Sequence, residues 1–137
     1  MKTKQWVVGI VGGGVVVFVL GYIIFEMLLG SFYAANGGSA TGVNRDQPII
    51  WALAVGALAY AALIIYALKA HAASLNLVSG IKVGATVGCL LWLCADFTLY
   101  GATNMGNLTL TIVDPLVELV RGGITGAILG ALLPKLA

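Results

Sequence analysis

Four runs of apolar residues, approximately Trp6 to Leu29, Pro48 to Ala70, Gly80 to Gly101 and Leu108 to Leu133, take up most of this chain. Each is near the ~20 residues an α-helix needs to cross a hydrocarbon core. None alternates polar and apolar side chains, as the ~9–11-residue strands of a membrane barrel do, so each is read as a helix. Of the 137 residues, 61% are hydrophobic and 9% charged, against about 45–50% and about 25% in a soluble domain. A soluble fold of this size has no means of hiding that much apolar surface. The expectation is an all-α integral membrane four-helix bundle, a single transmembrane domain over residues 1–137.

Orientation follows from the lysines. If the N-terminus is cytoplasmic, a four-span path puts Lys2 and Lys4, then Lys69 and Lys82, then Lys135 on the same side, as the positive-inside rule asks. Both termini are then cytoplasmic. The first run follows two lysines but is longer than the about 7–15 apolar residues of a secretory signal, so it is expected to be an uncleaved span. Trp6 and Trp51 stand near the starts of spans one and two, where amphipathic rings favour the interface.

With only seven Lys and Arg there is no basic stripe for nucleic acid. Cys89 and Cys94, five positions apart, share no helical face and match no redox or zinc spacing. His71 is the only histidine, which excludes a bis-histidine haem site within one chain. No catalytic, metal or nucleotide motif is complete, so no enzyme activity, metal or cofactor is expected.

The acids are Glu26, Asp46, Asp96, Asp114 and Glu118. On this topology all of them, with Arg45 and Arg121, fall in the outer half. Asp46, ahead of Pro48, is expected to cap the second helix. The outer connection from Gly30 to Gln47 has turn chemistry in Asn36-Gly37-Gly38-Ser39 and is long for a helix linker, a length more common in functional loops. Asp114-Pro115 allows two starts for the last helix: Pro115 with Asp114 as its cap, or Leu108 with Pro115 inside the helix, which is preferred.

Gly80, Gly84 and Gly88 in span three and Gly122, Gly126 and Gly130 in span four each repeat every four residues. Such spacing lets helix backbones approach closely in lipid. Followed outward, the stripes run through Trp92 to Asp96 and through Glu118 to Asp114. Spans three and four are therefore expected to touch in the inner half and splay in the outer half around a polar pocket of Glu26, Asp96, Tyr100, Asn104, Glu118 and Arg121. Arg121 can pair with Glu118 three residues away or reach Asp96. Buried charges of this kind cost about 2.5–3.5 kcal/mol on insertion scales, so they face the bundle interior and take partners.

Tyr100-Gly101-Ala102-Thr103-Asn104 and Glu118-Leu119-Val120-Arg121-Gly122 are similar to two blocks of a family of small four-span bacterial membrane proteins catalogued only as domains of unknown function. In that family the third span ends Tyr-Asp-Leu-Thr-Asn, and the fourth carries an Asp four residues before a Gly. Tyr100, Thr103, Asn104, Glu118 and Gly122 match; the family's Asp after the Tyr is Gly101 here, and the nearest acid is Asp96. A related family has a small-residue fourth span resembling Gly126-Ala127-Ile128-Leu129-Gly130. The resemblance implies a multi-pass protein of the bacterial inner (plasma) membrane and supplies no activity. Spans one and three also each carry an outer acid, Glu26 and Asp96, before a Gly and an Asn, as two hairpins related by a pseudo-two-fold would.

The function expected from these residues is a non-enzymatic helical-bundle scaffold or accessory subunit of a membrane assembly, as homo-oligomer or hetero-complex. The small-residue pairs Gly9 and Gly13, and Ala52 and Gly56, add faces that a partner is expected to cover. The alternative is a small ion or solute transporter with an outward-facing polar site.

Overall fold

The computed structural model describes residues 1–137 and is helical apart from its connections and one isolated bridge, Gly37 with Gly106. Four helices are long and apolar enough to cross a membrane: Thr3–Leu28, Ile50–Ser74, Leu77–Ala102 and Leu108–Leu136. The first comprises α1 (Thr3–Gly21) and a π-helical stretch, Tyr22–Leu28. A short α2 (Gly30–Ala35) follows, then α3 (Ile50–Leu68), α4 (Leu77–Ala102) and α5 (Leu108–Leu132). The second and fourth spans each finish in a 3₁₀ turn, Lys69–Ser74 and Leu133–Leu136.

Asparagines set two of the helix starts. Asn76 Oδ1 accepts from the N–H groups of Val78 and Ser79, and Asn107 Oδ1 accepts from Leu110, meeting donors that the first turn leaves unpaired. Asn107 is thus the cap of α5, Pro115 lies inside the helix, and Asp114 is a buried helical residue. Asp46 does not cap α3, which starts at Ile50 with Ile49 in the cap position and no side-chain cap. Pro48 accounts for this correction: it disfavours a helical residue before it, and Ile49 after it is still extended, which carries the helix start beyond the reach of Asp46.

Helices α4 and α5 meet along the two glycine series. A Cβ added at Gly80, Gly84 or Gly88 would collide with the carbonyl oxygen of Gly126, Gly122 or Glu118 respectively, and one at Gly122, Gly126 or Gly130 with that of Gly84, Gly80 or Asn76. The contact is backbone on backbone, and only glycine permits it. On the other side of α5, Val17, Ile64, Ile65, Leu68, Leu129 and Leu133 form a core shared by α1, α3 and α5. Gly9 packs against Ile65 and Leu133, and Gly13 against Ala61 and Leu129. These two glycines are therefore covered within the chain, contrary to expectation, whereas Ala52 and Gly56 remain exposed.

Both ends of the bundle are tied. At the end carrying the termini, Gln5 Nε2 donates to the Leu133 carbonyl at 2.9 Å. At the opposite, loop end, Asn107 Nδ2 donates to Asn36 Oδ1, its backbone N–H to the Asn36 carbonyl, and the Ala40 N–H to the Asn104 carbonyl. The long connection is clasped in this way onto the α4–α5 turn, so the groups it carries are held over the loop half of the bundle.

Candidate functional site

Arg121 of α5 joins Glu118 to the backbone of α1. Its Nη1 donates to Glu118 Oε1 at 2.8 Å, one turn earlier on the same helix. Its Nε and Nη2 donate to the Val17 carbonyl of α1, at 3.2 and 2.8 Å. A methyl group at Gly21 would stand 2.8 Å from Nη2, so the bare backbone of Gly21 is what admits the guanidinium to α1. The guanidinium also lies 5.2 Å from the Phe25 ring centre and 5.6 Å from that of Tyr60, within the range of cation–π attraction. Phe25 belongs to the π-helical stretch, a distortion that recurs at functional sites. One side chain thus links α1, α3 and α5.

Glu118 is fully buried, and its second oxygen, Oε2, has no hydrogen-bond partner. The Tyr60 hydroxyl of α3, also buried and unpartnered, is its neighbour. A Cβ at Gly88 or Gly122 would meet that hydroxyl, so the outermost glycines of the seam make room for Tyr60. Asp96 enters from α4, where its carboxyl neighbours those of Asp114 and Glu118. Its Oδ2 and the Trp92 Nε1, one turn apart, are likewise buried without partners. Asp114 accepts a hydrogen bond from the Tyr33 hydroxyl. Tyr33 is positioned by edge-on contacts with Phe25 and Phe32. Burial first, and then the bond to Asp114, raise its pKa above the ordinary tyrosine range and keep the hydroxyl a donor.

Of the six residues expected around one pocket, Asp96, Glu118 and Arg121 are brought together and the other three are not. Glu26 is exposed on the π-helical stretch, at the rim of a cleft rather than in the cluster. Tyr100 and Asn104 are exposed at the end of α4 and beyond, Asn104 contributing its backbone carbonyl to the loop clasp. In their place the cluster takes Tyr33, Tyr60, Asp114 and the Val17 carbonyl. No three Asp, Glu, His or Cys side chains converge as a metal-ligand set.

In the loop half a cavity lies beside the cluster. A cleft of about 1010 Å³ opens among α1, α3 and α4, with Glu26, Arg45 and Asp46 among its polar lining residues and Arg121 in its wall. A smaller hollow of about 640 Å³ near the termini end is lined by His71, Lys82 and Thr86. Both lie against α3 and α4: Leu63 and Leu91 line the cleft, and Ala67 and Val87, one turn away on each helix, line the hollow. Thr125 is buried and donates to the Arg121 carbonyl of its own helix, while Thr86 lines the hollow.

No protein-family model matches the chain, and neither a curated protein nor a solved structure matches it.

Proposed function

We propose that this chain is a multi-pass protein of the bacterial inner membrane, with both termini cytoplasmic, working as a non-enzymatic helical-bundle scaffold or accessory subunit of a membrane assembly. The observation that carries the proposal is the use made of the buried charges. Arg121 donates three hydrogen bonds, one to Glu118 and two to the backbone of α1, so the cluster fastens helices to one another. The glycine seam supports the same view, because backbone-on-backbone contact between α4 and α5 leaves no passage between them toward the termini end. The exposed Ala52–Gly56 face of α3 and the exposed valines of α1, Val7, Val11, Val15 and Val19, are surfaces for lipid or for a partner subunit.

Native mass spectrometry of the protein extracted in mild detergent tests this. Masses at a multiple of the 14.1 kDa chain, or with a second polypeptide, are expected. A bare single chain under every extraction condition overturns the subunit proposal.

Orientation is tested separately. Single-cysteine variants, made after replacing Cys89 and Cys94, are expected to label with an impermeant reagent from outside at Ser39 and only from inside at Ser74. Labelling of Ser39 from the cytoplasm overturns the assignment drawn from the five lysines.

The second reading, a small ion or solute transporter, draws on the unpartnered oxygens of Asp96 and Glu118, because intramembrane ionisable groups are functional-site candidates by default. It ranks lower because Arg121, the cation beside these acids, is engaged by Glu118 and by the backbone of α1.

A further inference from the structure

We propose that the cleft of the loop half is a binding site for an uncharged amphiphile bearing a carbonyl oxygen, with that oxygen accepting from the Arg121 guanidinium. The inference requires the chain to sit in a membrane and, because Ala52 and Gly56 line the cleft, takes that face of α3 as open to lipid rather than covered by a partner subunit.

The donors come from a count at Arg121. A guanidinium has five N–H groups. Nε donates one to the Val17 carbonyl, Nη2 one to the same carbonyl, and Nη1 one to Glu118. One N–H therefore remains on each Nη. The side chain is 11% exposed and lines the cleft together with Gly21, against whose bare backbone the guanidinium packs. A nearly buried cation with spare donors on an apolar wall calls for an oxygen acceptor, since unused donors at such a place are costly.

The charge balance selects an uncharged acceptor. Glu118 already compensates Arg121 at 2.8 Å, and the remaining charged residues of the lining are one cation, Arg45, and two acids, Glu26 and Asp46. An anionic head would add a negative charge to a site whose cation is matched. A carbonyl takes up the spare N–H groups without disturbing the pair. The rest of the ligand is apolar: thirteen of the twenty lining residues are hydrophobic, and Phe18, Phe25, Tyr60 and Trp92 supply rings along the wall. The volume, about 1010 Å³, is at the upper end of the ~300–1,000 Å³ of ligand pockets, enough for a ring or glycerol head with part of an alkyl tail. Lipid-soluble quinones and diacylglycerols share this chemistry.

The test uses the full chain in detergent with Trp6→Phe and Trp51→Phe, leaving Trp92 in the cleft wall as the only tryptophan. Decylubiquinone is the probe, because a quinone quenches indole fluorescence at contact. Quenching is expected to saturate and to weaken at least tenfold in Gly56→Phe. That variant places a ring at the cleft wall, where nothing lies within 4 Å of a Cβ at Gly56; an unchanged thermal midpoint confirms that it folds. Dioctanoylglycerol and oleate then compete with the probe. Displacement by dioctanoylglycerol extends the site to ester carbonyls, and its failure narrows the site to quinones; both support the proposal. Quenching that grows linearly with probe and is the same in Gly56→Phe overturns it, as does a site from which oleate displaces the probe more strongly than dioctanoylglycerol does.

Discussion

Gly84→Leu and Gly126→Leu are each expected to prevent the four helices from assembling, while Gly37→Leu leaves the protein nearly intact. At Gly84 the added Cβ runs into the Gly122 carbonyl, and at Gly126 into the Gly80 carbonyl. Overpacking a core typically costs about 1–3 kcal/mol when side chains can shift. Here the obstacle is the backbone of a neighbouring helix, so the cost lies at or beyond the top of that range, and relief requires α4 and α5 to separate. Separation would also withdraw Asp96 from Asp114 and Glu118 and uncover the Tyr60 hydroxyl. At Gly37 a Cβ meets only the carbonyls of Ala34 and Tyr33, at 3.8 and 3.9 Å, which is ordinary contact. Size-exclusion chromatography and thermal unfolding in detergent are the measurements. A fall of more than about 10 °C in midpoint, or loss of the monodisperse peak, is expected for the two seam variants. Equal yield and midpoint for all three would refute the seam as the element that holds α4 to α5.

The seam was legible in the sequence because a four-residue repeat of glycine has a single structural use in a long apolar helix. The spans were legible for a similar reason, their lengths following from bilayer thickness, although their ends moved by a few residues where capping decided the matter. The preferred start of α5 at Leu108 is the one found, with Asn107 as its cap, whereas α3 starts at Ile50 with Ile49 rather than Asp46 in the cap position. The polar cluster was only half legible. Glu118 and Arg121 are three residues apart on one helix, and Asp96 lies on the extension of the glycine stripe, so spacing found them. Tyr33 and Tyr60 lie far away in sequence and carry no spacing signal; a fold alone brings their hydroxyls to Asp114 and Glu118. The Val17 carbonyl is a backbone group, and the π-helical stretch after it has no residue signature. The stripe argument overreached at Tyr100, which continues the Asp96 series by one turn but is exposed near the end of α4. Periodicity specifies the face of a helix; it does not specify how far along the helix the neighbour extends.

The Glu118–Arg121 pair is expected to behave as a fastening that fails when half removed and recovers when both halves go. Glu118→Gln leaves the guanidinium with a neutral partner in a place shielded from water, and Arg121→Met leaves a fully buried carboxylate with no counter-charge. Removing one member of a buried pair costs about 3–5 kcal/mol, whereas replacing both with well-packed apolar residues is often near neutral. Recovery in this protein should be incomplete, because Arg121 also serves the Val17 carbonyl and stacks near Phe25 and Tyr60. Glu118→Leu with Arg121→Met is therefore expected to fall short of the parent by about 1 kcal/mol, the net worth of a hydrogen bond. The cycle is read twice, by thermal unfolding in detergent and by the native mass of the extracted assembly. If stability and assembly both return in the double variant, the pair is a structural fastening and the scaffold proposal stands without it. If stability returns and assembly does not, the charges face a partner, and a purely structural account of the cluster fails.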